Sequence, residues 1–545
     1  AAPTTIVPAN TTYTWTVVDN TNVTGDVDEP TAKTNISQTL TNLTNTAQSV
    51  VYTVTPTSGA AGNCVGATFT VTVTVSPKPT VANETTSVCS RSAFTVTPTT
   101  GNGNIIAAST TYSWAIPVME SGITGGAAGL AASNLTSISG TLINSTNAPL
   151  KATYTVTPKS GVCNGAPFTV EVTVNPKPEI PAQTATICSG TAFPFVLANA
   201  SPTAATIIPV NTTYTWTVAT NINVTGQSAQ PTSQSNISQT LTNLTNTAQN
   251  VVYTVTPVSG AQGLCPGANF TITVTVNPKP YVSAQTASAC SGAAFSVSPA
   301  NATVNNHIVP TGTTYTWTVE DNVNVTGDVN QAVGQSTIGQ TLNNLTNTTQ
   351  TVVYTVTPTS GTAGNCVGET FILTVSVYPK PFVTPRTETI CSGQTFTTTP
   401  VNNLPDTTTI VPTGTTYTWT VVDNTSVSGE SNVSIAQSSI SQTLVNNSNT
   451  VQTVTYTVTP KSGDTGLCVG SPFTITVSVN PKPVIFNRVD TICSATSFTL
   501  TPVNNSPSIT TIVPANTTYT WTVASNANVT GQSDQDANAF RNWNY

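Results

Sequence analysis

Thr213-Tyr214-Thr215-Trp216-Thr217-Val218 alternates polar and apolar side chains without a break. Period two puts Tyr214, Trp216 and Val218 on one face and the threonines on the other, as in a half-buried antiparallel strand. Threonine suits the wet face because it is β-branched yet polar. The hexad or a close variant recurs along the chain, placing a tryptophan at Trp15, Trp114, Trp216, Trp317, Trp419 and Trp521, at intervals of 99 to 102 residues. Each of these indoles is expected to be the largest member of its own core.

Pro77-Lys78-Pro79 recurs at 176–178, 278–280, 379–381 and 481–483, and Asn35 to Gln48 is repeated unchanged at Asn236 to Gln249. A period near 100 is that of whole domains in tandem rather than of solenoid repeats. Proline lacks the amide donor and fixes φ, so the Pro-Lys-Pro elements are natural seams. Cutting there predicts a partial repeat over 1–78, four repeats over 79–177, 178–279, 280–380 and 381–482, and a partial repeat over 483–545. Such a chain is expected to be a slice of a longer one. After Gly531 the pattern lapses, and Phe540 to Tyr545 matches no other copy.

Further alternation falls at Val50, Tyr52 and Val54, and at Phe69, Val71, Val73 and Val75. Shorter strands are expected at Phe94–Val96 and Ile36–Leu40, the latter matched by Ile138–Leu142 in the second repeat. Seven or so short strands in ~100 residues predict an all-β fold, a tandem array of immunoglobulin-like antiparallel β-sandwiches.

The 545 residues include 13 basic and 20 acidic ones, a net charge of −7, one histidine and one methionine. Charged residues make up 6%, against roughly 25% in an average globular chain. This argues against nucleic acid or an anionic membrane as partner. It also supplies poorly the groups of acid–base or zinc catalysis, and no nucleophile–base arrangement recurs, so no enzyme and no cofactor is expected. No apolar run approaches the ~20 residues of a membrane span. Ala1 to Ile6 lacks the charged and apolar regions of a signal peptide, so a mature, secreted fragment is expected.

The units read Ile187-Cys188-Ser189-Gly190, Thr213–Val218, Asn223-Val224-Thr225-Gly226, Val252–Pro257, Cys265 and Val274–Pro280. This constellation resembles the PKD-like, Ig-like repeats of large Bacteroidota surface proteins. The resemblance implies a cell-surface adhesin, exported in many cases by the type IX system and in some members serving gliding motility. It implies PKD-like sandwiches, a stalk or filament role, and an extracellular location. The alternative reading is that each repeat is itself a glycan- or protein-binding module acting through its pole loops. Those before the Trp strand vary most, as in Thr99 to Ser109 and Asn403 to Thr413. Expected partners are neighbouring repeats of the same chain, identical chains alongside, and an unidentified surface ligand, with no membrane insertion.

Ten cysteines fall in five pairs, 64 and 89, 163 and 188, 265 and 290, 366 and 391, 468 and 493, each pair 25 residues apart. No close C-x₂-C spacing suggests zinc, so disulfides in an oxidising compartment are expected. Three connectivities are open. Pairing within a repeat would give Cys89–Cys163, Cys188–Cys265, Cys290–Cys366 and Cys391–Cys468. A hairpin about the prolines would give Cys64–Cys89. Staples across seams would give Cys89–Cys265, Cys188–Cys366 and Cys290–Cys468. In an immunoglobulin-type path the two cysteines of one repeat lie at opposite poles. Strands of usual length separate the poles by ~17–20 Å, beyond the ~7 Å reach of a disulfide, which favours the staple.

Asp19, Asp26 and Asp28 cluster after the Trp15 strand, and Glu320, Asp321 and Asp328 repeat part of the pattern. Oxygen-rich loops can hold calcium. The matching loop at Ala219 to Gln227 has no acid, however, so solvated loops are the expected reading and calcium a minor one. Asn-x-Ser/Thr sequons at Asn22, Asn42, Asn223, Asn243 and Asn344 are read as products of an Asn- and Thr-rich composition. His307 is read as a solvated loop residue.

Overall fold

In the third repeat the hexad forms strand β3 of eight. These are β1 Gln183–Cys188, β2 Thr191–Phe195, β3 Thr213–Val218, β4 Val224–Thr225, β5 Gln230–Gln234, β6 Ile237–Asn243, β7 Gln249–Val258 and β8 Phe270–Asn277. The computed structural model describes residues 5–59, 62–195, 206–260, 263–302, 306–361 and 364–535. They belong to two compact units, Ala1–Asn277 and Pro278–Tyr545. No α-helix occurs among the described residues.

β1-β8-β7-β3-β5 form one sheet and β2-β6-β4 the other. All pairings are antiparallel except that of β1 with β8, which runs parallel from Gln183 opposite Ile272 to Cys188 opposite Asn277. The alternation of β7 and β8 sends Val251, Tyr253, Val255, Ile272, Val274 and Val276 inward, each wholly buried. Trp216 is 6% exposed, and its indole N–H donates to the Ser228 carbonyl at 3.0 Å, so its one polar atom is satisfied. Phe193 of β2 meets Tyr253 of β7 with ring centroids 5.4 Å apart, joining the two sheets. Burying one large apolar side chain fully contributes about 1.5–3 kcal/mol.

Two recurring motifs hold the turns. In Asn-Val-Thr-Gly, Gly226 has φ +87°, and a Cβ there would sit 2.0 Å from the Thr240 carbonyl oxygen, so only glycine fits. At the end of β6, Asn243 is buried. Its amide donates to Thr247 O and Val276 O, while its carbonyl oxygen accepts from the Thr245 amide and hydroxyl. Every hydrogen-bonding atom of this buried side chain is therefore engaged, as burial requires. Asn42, Asn144, Asn344 and Asn446 repeat the arrangement.

Within the first unit, the second repeat keeps the core of this plan, with Trp114 7% exposed, but the outer side of its Trp strand carries only the isolated bridges Tyr112–Leu135 and Trp114–Gly129 in place of a β5. Its Ile138–Thr141 pairs with Ala93–Val96 as expected. The first repeat differs. Ile36–Leu40 is not a strand, because no strand among the described residues stands opposite it. Phe69–Val75 likewise has no parallel neighbour, and Phe69 is 43% exposed where its counterpart Phe270 is 5%. Trp15 is still buried, since its own strand pairs with Gln48–Thr57.

In the second unit Trp317 and Trp419 are buried in cores that differ only in Leu373 of one against Ile475 of the other. Beyond Pro483 no strand forms among the described residues. Trp521, expected in a core, is instead 52% exposed. The reason is pairing: the Trp strand of a complete repeat is flanked by the counterpart of β7, and no such segment follows Trp521 in this sequence. The tail from Phe540 lies outside the described residues.

Candidate functional site: the seams between repeats

Cys89 ends the strand Glu84–Cys89, which runs parallel to Phe168–Asn175 and places Cys89 opposite Asn175. Cys163 of the same repeat lies before Phe168, at the other end of that eight-residue strand. At ~3.3 Å per residue the two poles are roughly 23 Å apart. The loop cysteine of the following repeat comes to Cys89 instead. Cys89 and Cys265 are bonded with Cα atoms 5.6 Å apart, and Cys290 and Cys468 with Cα atoms 5.8 Å apart. In the first unit Cys188 is also disulfide-bonded, as is Cys366 in the second.

The within-repeat pairings Cys89–Cys163, Cys188–Cys265, Cys290–Cys366 and Cys391–Cys468 are therefore not formed, nor is the hairpin Cys64–Cys89. Cys265 and Cys468 are taken by Cys89 and Cys290, while Cys64, Cys163 and Cys391 are free, as is Cys493. The parallel pairing that fixes the poles explains this.

Other contacts line the stapled seams. In the first unit Arg91 pairs with Glu179 at 3.0 Å, both partly exposed. Gly263 packs on Asn175, where a Cβ would meet the side-chain nitrogen at 2.4 Å. In the second unit Gly466, in the same position relative to its cysteine, packs on the Tyr378 ring at a notional 2.4 Å. There the Thr349 hydroxyl donates to Asp464 at 2.6 Å and holds that carboxyl below its usual range.

The linker is also anchored to the repeat that follows it. The residue after each Pro-Lys-Pro pairs with an isoleucine nine positions before the tryptophan. The pairs are Thr80 with Ile105, Glu179 with Ile207, Tyr281 with Ile308, Phe382 with Ile410 and Val484 with Ile512. Sequence reasoning missed this tie. Its signal was legible, because Ile-Val-Pro or a variant recurs at that offset inside the segment read as a variable loop.

The acidic loops have a backbone role. Asp26 accepts from the Asn20 amide at 2.8 Å and Asp328 from the Asn322 amide at 3.1 Å. Gln227 and Glu430 make the same bond in their repeats, so a neutral amide does the work of the carboxylate. Asp28 accepts from the Val17 amide at 2.8 Å, and Asn330 stands in its place in the fourth repeat. Asp19, Glu320 and Asp321 are exposed. No cluster of three or more His, Cys, Asp or Glu suited to a metal occurs among the described residues.

Three of the sequon asparagines, Asn42, Asn243 and Asn344, are the buried turn residues described above, at 6%, 2% and 3% exposure. In them the Thr of Asn-x-Thr serves as the asparagine's own hydrogen-bond partner. His307 is not simply solvated. Its Nε2 lies 2.7 Å from the Ser283 hydroxyl and accepts from the Ser283 amide at 3.2 Å, tying its loop to the start of the repeat.

Among the described residues no helix is long and apolar enough to cross a membrane. Residues 2–79, 86–178, 185–280, 283–381 and 388–483 each match the model of the PKD-like domain. No curated protein matches the chain. Similar solved structures include multidomain fragments. An I-band fragment of titin, I67–I69, is 10% identical over 56% of this chain and 97% of its own, with a TM-score of 0.23. The insect immune protein hemolin is 11% identical over 74% of this chain and all of its own, with a TM-score of 0.19. Sidekick-1 immunoglobulin domains 1–4 are 12% identical over 74% and 97%, with a TM-score of 0.17.

Proposed function

The chain belongs to the PKD-like domain family, and from that premise we propose that it is a stalk segment of a secreted bacterial cell-surface adhesin, extending and mechanically supporting an adhesive region. The observation that carries this reading is the disulfide across a seam, Cys89–Cys265 in one unit and Cys290–Cys468 in the other. A bond that ties one domain to the next serves a chain whose domains work as a series. Disulfides of this kind also belong to an oxidising compartment outside the cytosol. The repeats are a structural domain type.

The Bacteroidota origin, type IX export and gliding role are part of this proposal and follow from the resemblance of the repeat motifs. The per-repeat binding module is the weaker reading, because the loop before five of the six Trp strands is tied to the linker. Small-angle scattering from the oxidised chain tests the stalk. A stiff rod-like profile that holds across ionic strengths is expected. A flexible-bead profile, or a glycan array that finds one ligand per repeat, would overturn it.

A further inference from the structure

We propose that the oxidised array is a tension-bearing tie whose load passes around most of each stapled repeat rather than through it. The proposal deepens the stalk reading and rests on it. Cys89–Cys265 closes a loop of 176 residues and Cys290–Cys468 one of 178. Tension along the chain takes the shorter covalent route. It leaves the second repeat at Cys89, at the end of that repeat's first strand, and re-enters at Cys265 in the loop before β8. Almost all of the second repeat, and β1 to β7 of the third, lie inside the closed loop and carry no load. Cys290 and Cys468 repeat the detour.

Between the two detours the load follows Cys265 to Cys290, only 25 residues. That segment includes β8 Phe270–Asn277, Pro278-Lys279-Pro280 and the strand Gln285–Cys290. Within each of these two strands a rise of ~3.3 Å per residue against a limit of ~3.6 Å leaves little slack. Each loaded strand is also clamped by ladders. β8 is paired with β7 and β1, and Gln285–Cys290 with Phe371–Tyr378. The first repeat is different. Its cysteine, Cys64, is free and no staple spans it, so it stays in the load path.

Single-molecule force extension of the full 545-residue chain, held at its two ends with free thiols alkylated, tests this directly. With staples intact, one unfolding step of domain size is expected, from the first repeat. After a thiol reductant, five are expected, one for each domain matched, each releasing on the order of 300 Å at ~3.6 Å per residue. The double variant Cys89→Ser, Cys265→Ser, without reductant, restores at least the step of the second repeat. Five steps from a chain shown by thiol titration to keep its staples would overturn the proposal. Such a result would leave the stalk reading standing if scattering still reports a stiff rod, whereas a flexible profile with a single force step would remove the stalk and keep the tie.

Discussion

The Asn243 side-chain amide donates to the Val276 carbonyl at 2.9 Å, fastening the β6–β7 turn to the last strand of its sandwich from inside the core. Replacing it by alanine leaves that carbonyl, the Thr247 carbonyl and the Thr245 amide without their partner. Asn243→Ala is expected to cost about 1–3 kcal/mol. Asn243→Asp does no better, since it turns an oxygen toward two carbonyls. Denaturant unfolding should show one repeat melting early, and an unchanged midpoint would sink the assigned role.

The tryptophans divide by environment. Trp216→Ala removes a buried indole and is expected to cost about 3–5 kcal/mol. Trp521→Ala, at a half-exposed position, should fall within about 0.5 kcal/mol of the parent. Calorimetry on both variants, with acrylamide quenching of the parent, separates the two classes. Comparable losses for both would contradict the exposure of Trp521.

Alkaline pH should loosen the third, fourth and fifth repeats. Burial pushes the Tyr214, Tyr315 and Tyr417 hydroxyls up to about 12 from an ordinary 10, and Tyr253, Tyr354 and Tyr456 higher still. The neutral form is the one that folding favours. The stabilisation is therefore complete below pH 10 and is lost as pH rises from 10 toward 12. Melting temperature against pH is expected to be flat through neutrality and to fall above 10. Tyrosinate absorbance reaching the full complement of 14 tyrosines near pH 10 while the chain stays folded would contradict this.

At the seams, Gly263→Val and Gly466→Val should disturb the junction and not the sandwich. The added carbons would enter Asn175 and Tyr378 respectively. Slower or incomplete formation of the neighbouring staple is expected, read as more than the four free thiols of the parent. Near-parental thiol counts in both variants would show that the close packing is unimportant.

Calcium should make no difference to the loops after the Trp strands. Gln227 already makes the bond that Asp26 makes, so Asp26→Asn is expected to melt with the parent, with calcium or with chelator. A calcium-dependent rise in the parent that Asp26→Asn abolishes would restore the ion-binding reading.

Much of the site was written in plain alternation and spacing. Trp216 among threonines could be assigned to a core because period two leaves an inward face with nothing polar on it. The poles of Cys89 and Cys163 followed from strand direction alone. The strand Gln183–Cys188 was not legible, because Gln-Thr-Ala-Thr-Ile-Cys carries little apolar signal and owes its order to the neighbour it lies beside. Nor was the burial of Asn243, since a sequon and a hydrogen-bonded turn look the same as letters.

The amino-acid order alone determined the bead length, the sandwich and the proline seams, because these depend on local side-chain period and on what proline cannot donate. Only the tertiary structure decided that Cys89 reaches Cys265, that Trp521 stays in water and that Ile105 holds Thr80. Each of those depends on which strand lies alongside another. That is set by packing between segments far apart in the chain, where no local pattern reaches.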